Sequence, residues 1–152
     1  MDMEKSVVFA KPGHILVANL MFSYLELKLD GDFERIANPP VFVHPIPREI
    51  IEEHYKHIRK YSTFNTTIEA YLREGLVLTA YRGPNIISRI REIVGNTDPA
   101  NAGPETIRGK FGRGSLKIAL ETSSYLENAI HASGSVIESD TEFRIWTPFL
   151  KF

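Results

Sequence analysis

Short apolar runs that stop at turn residues, alternating with stretches whose apolar residues recur every three or four positions, predict an α+β fold. The order is strand, helix, strand, helices, strand, helix, long loop, strand, helix. That order fits the split βαβ arrangement (βαββαβ) of a ferredoxin-like sandwich, an antiparallel sheet with helices packed on one face. With 152 residues the chain is expected to form one domain spanning 1–152, large enough to bury most of its unfolded surface.

Ser6-Val7-Val8-Phe9-Ala10 reads as a buried strand stopped by Lys11-Pro12-Gly13, which leaves a lysine at its C-terminal end. Leu16, Leu20, Tyr24 and Leu27 predict a helix over 15–29 with that stripe buried, ended by Asp30-Gly31-Asp32. Val41-Phe42-Val43 lies between Pro39-Pro40 and Pro45, so a strand there is short and at a sheet edge. Pro47 suits the first turn of a helix through Ile50, Ile51, His54, Tyr55 and Ile58. Thr66-Thr67-Ile68-Glu69 has the spacing of a capping box, and Gly75 closes the helix it opens. A second strand follows to Tyr81, and Pro84 starts a helix through Ile87, Ile90 and Val94 that stops at Gly95. From 96 to 124 there is no strong periodicity, which predicts a long irregular segment. Asn128 to Ala132 reads as a short strand, and Ser135-Val136-Ile137-Glu138 as a capping box opening a helix to about Trp146.

The composition narrows the function. Hydrophobic residues make up 43% and charged residues 24%, values of a folded globular protein and not of a disordered one. A net charge of -1 argues against a generalised basic field for nucleic acid, so any phosphate binding has to be local. With no cysteine, disulfides, thiolate catalysis and thiolate metal sites are excluded. No window approaches the ~20 apolar residues of a bilayer span, so the expected location is the cytoplasm and no membrane partner is expected.

His131 precedes the small, polar Ser133-Gly134-Ser135, where a strand hands over to a helix. A lone histidine in an apolar segment is more often structural than catalytic, but Glu142 lies on a turn of the next helix that could face back toward it. A carboxylate there could take the imidazole's second N–H and set its tautomer. Lys11, Arg91 and Arg108, each singly a solvated charge, could together with Thr97 and Asn128 supply the donors that phosphoryl transfer needs. Gly103-Pro104-Glu105-Thr106-Ile107-Arg108-Gly109-Lys110 is not a P-loop: five residues separate its glycines, and Phe111 stands where a Ser or Thr should follow. His54 and His57, at i and i+3, read as a wet surface pair, and the residues alone assign no metal ligands.

These segments resemble the nucleoside diphosphate kinase family. Asn128-Ala129-Ile130-His131-Ala132-Ser133-Gly134-Ser135 is similar to its active-site signature, with Glu142 at the expected spacing. Gly95-Asn96-Thr97-Asp98-Pro99, Thr106-Ile107-Arg108-Gly109-Lys110-Phe111, His54-Tyr55 and Lys11-Pro12 fall in family order, so the resemblance covers essentially the whole chain. It implies that His131 is the phosphorylated nucleophile, with Glu142 and Ser133 orienting it. It further implies that Lys11, Tyr55, Arg91, Thr97, Arg108 and Asn128 hold the phosphates and ribose, and that the base stacks on Phe64. The implied ligands are nucleoside di- and triphosphates with Mg²⁺ carried mainly on their phosphates, and the implied assembly is a homo-oligomer, a hexamer, tetramer or dimer. The departures are Gly13, Lys110 and Gly134, where the family usually has acids, and an extended loop at about 112–127. The alternative is a domain of the same fold that binds nucleotide or a partner without turnover.

Overall fold

The computed structural model describes residues 3–151. Met1, Asp2 and Phe152, at the ends of the expected domain, lie outside the described residues. β1 (Met3–Ala10) leads into α1 (Ala18–Lys28), and two short strands, β2 (Glu34–Arg35) and β3 (Val41–Val43), precede α2 (Arg48–His54) and α3 (Phe64–Glu74). There follow β4 (Leu76–Pro84), α4 (Ile86–Val94), α5 (Ile107–Phe111), α6 (Leu116–Thr122), β5 (Ile130–Ala132) and α7 (Val136–Trp146). The sheet runs β2-β4-β1-β5, with β3 paired to the same edge of β4 as β2, and every pairing is antiparallel. The crossover through α1 passes over β4 and the one through α4 passes over β1, which is the split βαβ topology of the ferredoxin-like sandwich. Among the described residues no helix is long and apolar enough to cross a membrane.

Helices cover both faces of this sheet and not one, as the burial of β1 requires. Ser6 to Ala10 are all buried, so both alternating sets of side chains need a covering layer. Val8 and Ala10 pack with Phe22 and Leu25 of α1 and Ile86 and Ile90 of α4. Val7 and Phe9 pack with Ile51 of α2, Ile68 and Tyr71 of α3, and Trp146 of α7. Phe9 pairs with His131 in the β1–β5 register, so the imidazole emerges on the α2–α7 face while Ile130 and Ala132 anchor β5 in the opposite core.

Three local expectations are corrected. α1 forms, but most of the stripe chosen from the sequence faces out: Leu16, in the 3-10 turn before α1, and Leu20 and Leu27 are 101%, 58% and 84% exposed, while Tyr24 is half-buried against the core. The inward stripe is Ala18, Met21, Phe22 and Leu25, which has the same helical spacing. Periodicity identifies the helix, and only the sheet decides which of two apolar stripes it covers. The helix expected to be capped at Thr66 starts at Phe64 instead, and the Thr66 hydroxyl donates back to the Thr63 carbonyl at 3.1 Å. Finally, the 96–124 segment contains α5 and α6, and α6 lies within the 112–127 loop. α6 is capped by Ser115 and buries Ala119, whereas Leu116, Ile118 and Leu120 recur every second residue and stay exposed, so no three-and-four signal marks it.

Candidate active site

A cleft of about 570 Å³ opens at the C-terminal end of β1, between α2, α7 and the segments that follow α4. Lys11, Tyr55, Arg91, Thr97, Arg108, Asn128, His131 and Glu142 all line it, although they come from separate stretches of chain. Ser133 sits just behind, fully buried.

At its centre His131 Nε2 donates to Glu142 Oε1 at 2.9 Å. Ser133 Oγ donates to the same oxygen at 2.7 Å and accepts from the Val7 amide at 2.9 Å, so the carboxylate is tied through Ser133 to β1. Burial opposes the Glu142 charge, but His131 and the two hydrogen bonds outweigh it and hold the carboxyl below its ordinary range. With Nε2 committed as a donor, the neutral ring carries its lone pair on Nδ1. The Ser135 hydroxyl caps α7, accepting from the Glu138 amide at 3.1 Å, and so sets where Glu142 falls on the helix.

The turn before β5 is strained. Ala129 has φ 74° and is flanked by a hydrogen bond from the Ile130 amide to the Asn128 carbonyl at 2.9 Å, a γ-turn of the rare positive-φ kind. The Lys11 amide clamps the Ala129 carbonyl at 2.9 Å. This turn presents Asn128 and His131 to the same cleft, and such strain persists only where the surroundings over-determine it.

Phosphate-binding chemistry follows from the cations. Lys11 is buried, with its ammonium donating to Asn128 Oδ1, and Asn128 Nδ2 donates to the Thr97 carbonyl at 3.0 Å. Burial, then Arg108, pushes the Lys11 ammonium down to about 7. Arg108 is 5% exposed; its two terminal nitrogens donate to the Gly95 and Ile130 carbonyls at 3.2 and 2.9 Å, and its buried Nε has no partner among the described residues. Burial, with Arg91 beside it, brings the guanidinium down to about 10. Buried cations that repel one another around a cleft are stabilised by a polyanion entering it.

Two sequence expectations change here. Phe64 does not line the cleft: as the first residue of α3 it packs on the α2–α7 core, with the Arg59 guanidinium 6.0 Å from its ring centre. His54 is not half of a wet pair. His57 is exposed, but His54 is 6% exposed and lies edge-on to His131 with ring centres 4.7 Å apart. The i, i+3 spacing marks one helix face but not that the core packs against half of it. Glu138, also missed, folds its carboxylate into the space beside Arg91 that a side chain at position 134 would fill. At Gly13, with φ 92°, a Cβ would stand 2.9 Å from the Glu127 carboxylate, so acids from elsewhere in the chain occupy the space at two of the departures.

His54, His131 and Glu142 offer ligand atoms within 4.8 Å of one another. They do not fit a metal centre. The Trp146 indole N–H, which can only donate, bonds His54 Nδ1 at 2.9 Å, so the neutral ring has its proton on Nε2 and no lone pair left to ligate.

Sheet topology, an oriented histidine and buried cations together define a phosphate-handling protein of the ferredoxin-like α+β class. The model of the family described as nucleoside diphosphate kinase matches residues 42–151. A nucleoside diphosphate kinase of Clostridium perfringens is 32% identical over 148 residues, covering 97% of this chain and 94% of the relative. One from Pyrococcus abyssi is 35% identical over 101 residues, covering 66% of this chain and 59% of the relative. Among solved structures, a transition-state mimic of the Borrelia burgdorferi nucleoside-diphosphate kinase with vanadate and ADP superposes with a TM-score of 0.80 at 23% identity, over 95% of this chain and 86% of that one. The chain belongs to the nucleoside diphosphate kinase family, a family of phosphotransferases.

Proposed function

We propose that this protein, as a single domain over 1–152, moves the γ-phosphoryl group from a nucleoside triphosphate, mainly ATP, to a nucleoside diphosphate by a ping-pong cycle through phosphohistidine at His131. The observation that carries the reading is the commitment of His131 Nε2 to Glu142, which leaves Nδ1 as the nucleophile in a cleft of buried cations. Its lone pair forms the P–N bond as the bond from γ-phosphorus to the bridging oxygen breaks and the electron pair leaves on the diphosphate. The ring keeps its Nε2–H, and Glu142 balances the positive charge that develops on it. Arg91, Arg108 and Lys11 meet the phosphate oxygens, and the chain Lys11–Asn128–Thr97 holds the lysine in place. The second half-reaction reverses these steps onto a diphosphate.

The cleft suits Mg²⁺ arriving on the nucleotide. Of the three carboxylates that line the cleft, Glu142 is engaged by His131 and Ser133 and Glu53 by Lys56, which leaves Glu138 alone and no carboxylate cage. The ion would neutralise phosphate charge when bound. A coupled assay for ATP made from ADP and a second triphosphate tests the activity; nucleotide binding without turnover would leave the non-catalytic alternative.

Lys11 gives the binding step a pH dependence. Its free-state value of about 7 rises when a phosphate docks, so binding takes up a proton. The ammonium's contribution is complete below that value and is lost as pH rises above it, up to ~10-fold in affinity per pH unit until the bound-state value is reached. Calorimetry at about pH 8 in buffers of different ionisation enthalpy should show proton uptake. Equal heats in all buffers would remove this linkage.

We also infer a homo-oligomer in the cytoplasm. Leu16, in the turn before α1, and Leu20 and Leu27 on α1 form an exposed apolar surface that a second copy would cover. Leu20→Lys with Leu27→Lys should shift the sedimentation mass to that of one chain. An unchanged mass would place the interface elsewhere.

A further inference from the structure

The phosphohistidine cycle leaves one buried titratable group beside the nucleophile unused. His54 ends α2, is 6% exposed, stacks edge-on to Phe9 at 5.2 Å and to His131 at 4.7 Å between ring centres, and lines the cleft. Its Nδ1 accepts the Trp146 indole N–H at 2.9 Å, a bond closed off from solvent. Indole nitrogen never accepts, so this contact selects one tautomer, with the proton on Nε2. Among the described residues Nε2 has no hydrogen-bond partner, and His54 lines the cleft. The arrangement is therefore an N–H donor of fixed direction in a largely buried corner of the cleft next to His131.

We propose that His54 is a further catalytic residue: its Nε2–H, locked by Trp146, donates to an oxygen of the phosphoryl group during its transfer to and from His131. This rests on the phosphohistidine reading. No proton is transferred; the P–N bond forms and the bridging P–O bond breaks as above, and His54 donates a hydrogen bond to oxygen that carries the transferring charge. Burial first, and His131 next to it, push the His54 imidazolium well below its ordinary range, so the ring stays neutral throughout. A neutral donor suits this position because a third charge would repel Lys11 and oppose a positive charge developing on His131, whereas a fixed dipole costs no reorganisation. Trp146 is a positioning residue, acting through His54.

The test has a structural and a kinetic arm. In wild-type enzyme with ¹⁵N-labelled histidine, NMR should show His54 with Nε2 protonated and Nδ1 bare, and the Nε2–H proton should shift on phosphorylation by ATP. A proton on Nδ1 would overturn the proposal without any variant. In rapid-quench labelling with γ-labelled ATP, His54→Phe should lower the phosphorylation rate at saturating ATP by ~10-fold or more, with nucleotide affinity changed by less than ~3-fold. His54→Gln, whose amide N–H reaches about as far as Nε2, should recover part of that loss. Trp146→Phe keeps the aromatic packing but frees the tautomer, so it should slow labelling and give a mixed His54 signal. Full-rate labelling of a folded His54→Phe enzyme would sink the role of His54 alone. Failure of the wild type to label at His131 would sink the underlying phosphohistidine reading instead.

Discussion

Replacing His131 with asparagine is expected to abolish both phosphoryl labelling and turnover. Wild-type protein incubated with γ-labelled ATP and Mg²⁺, without acceptor, should take up label on one residue, because a ping-pong cycle stops at its covalent intermediate. The label should leave when any nucleoside diphosphate is added. It should be lost in acid and survive alkali, as an N–P bond does and a serine ester does not, which separates His131 from Ser133 and Ser135. A carboxamide in place of the imidazole has no nucleophilic nitrogen lone pair to offer, so turnover in His131→Asn should fall to less than ~1% of wild type, given losses of ~10²-fold or more for a removed nucleophile. Nucleotide binding should persist, because Lys11, Arg91 and Arg108 are untouched and come from other elements. A variant that still labels would show the phosphohistidine mechanism to be wrong.

Arg108→Ala has the second largest expected effect, and it acts on rate and stability together. The guanidinium is aimed by two backbone carbonyls, Gly95 and Ile130, so its position in the cleft is set before any phosphate arrives. Removing a preorganised cationic donor should lower kcat/KM at least ~10-fold, and by ~10²-fold if it bears on transferring charge. It also leaves two carbonyls without their donor, at ~1–3 kcal/mol for each that stays unsatisfied, so the urea midpoint should fall. Arg108→Lys keeps the charge but cannot fork between both carbonyls and a phosphate, and it should recover only part of the rate. An unchanged kcat/KM in Arg108→Ala would remove Arg108 from the site.

Much of this was legible in the linear chain because the information is local. β1 and β4 are apolar runs bounded by turn residues, and Ser135 caps α7 as its spacing requires. Gly75 and Gly95 end α3 and α4 at φ 75° and 92°, conformations that residues with a Cβ rarely adopt. The segment from Asn128 to Ser135, with Glu142 beyond, states the proposed nucleophile and its partner within one strand–helix unit. The cations are harder, since nothing in the spacing of Lys11, Arg91 and Arg108 shows that they converge. The residue types offered a shared role only as one option, the family resemblance implied it, and all three side chains line one cleft.

What the sequence determined by itself was the order of the main strands and helices, though not β2, α5 or α6, and the placing of His131 and Glu142 in one strand–helix unit, all set by residues close to each other along the chain. Only the tertiary structure decided which stripe of α1 faces inward, because two stripes share one periodicity and burial depends on what the sheet presents. The same holds for Phe64 and His54. Phe64, as the first residue of α3, packs half-buried against the core, and Trp146, 92 residues away in sequence, turned an ordinary-looking histidine into a buried, tautomer-locked neighbour of His131. Donor, acceptor and protonation state are properties of contacts, and contacts between distant residues exist only once the chain has closed into its cores.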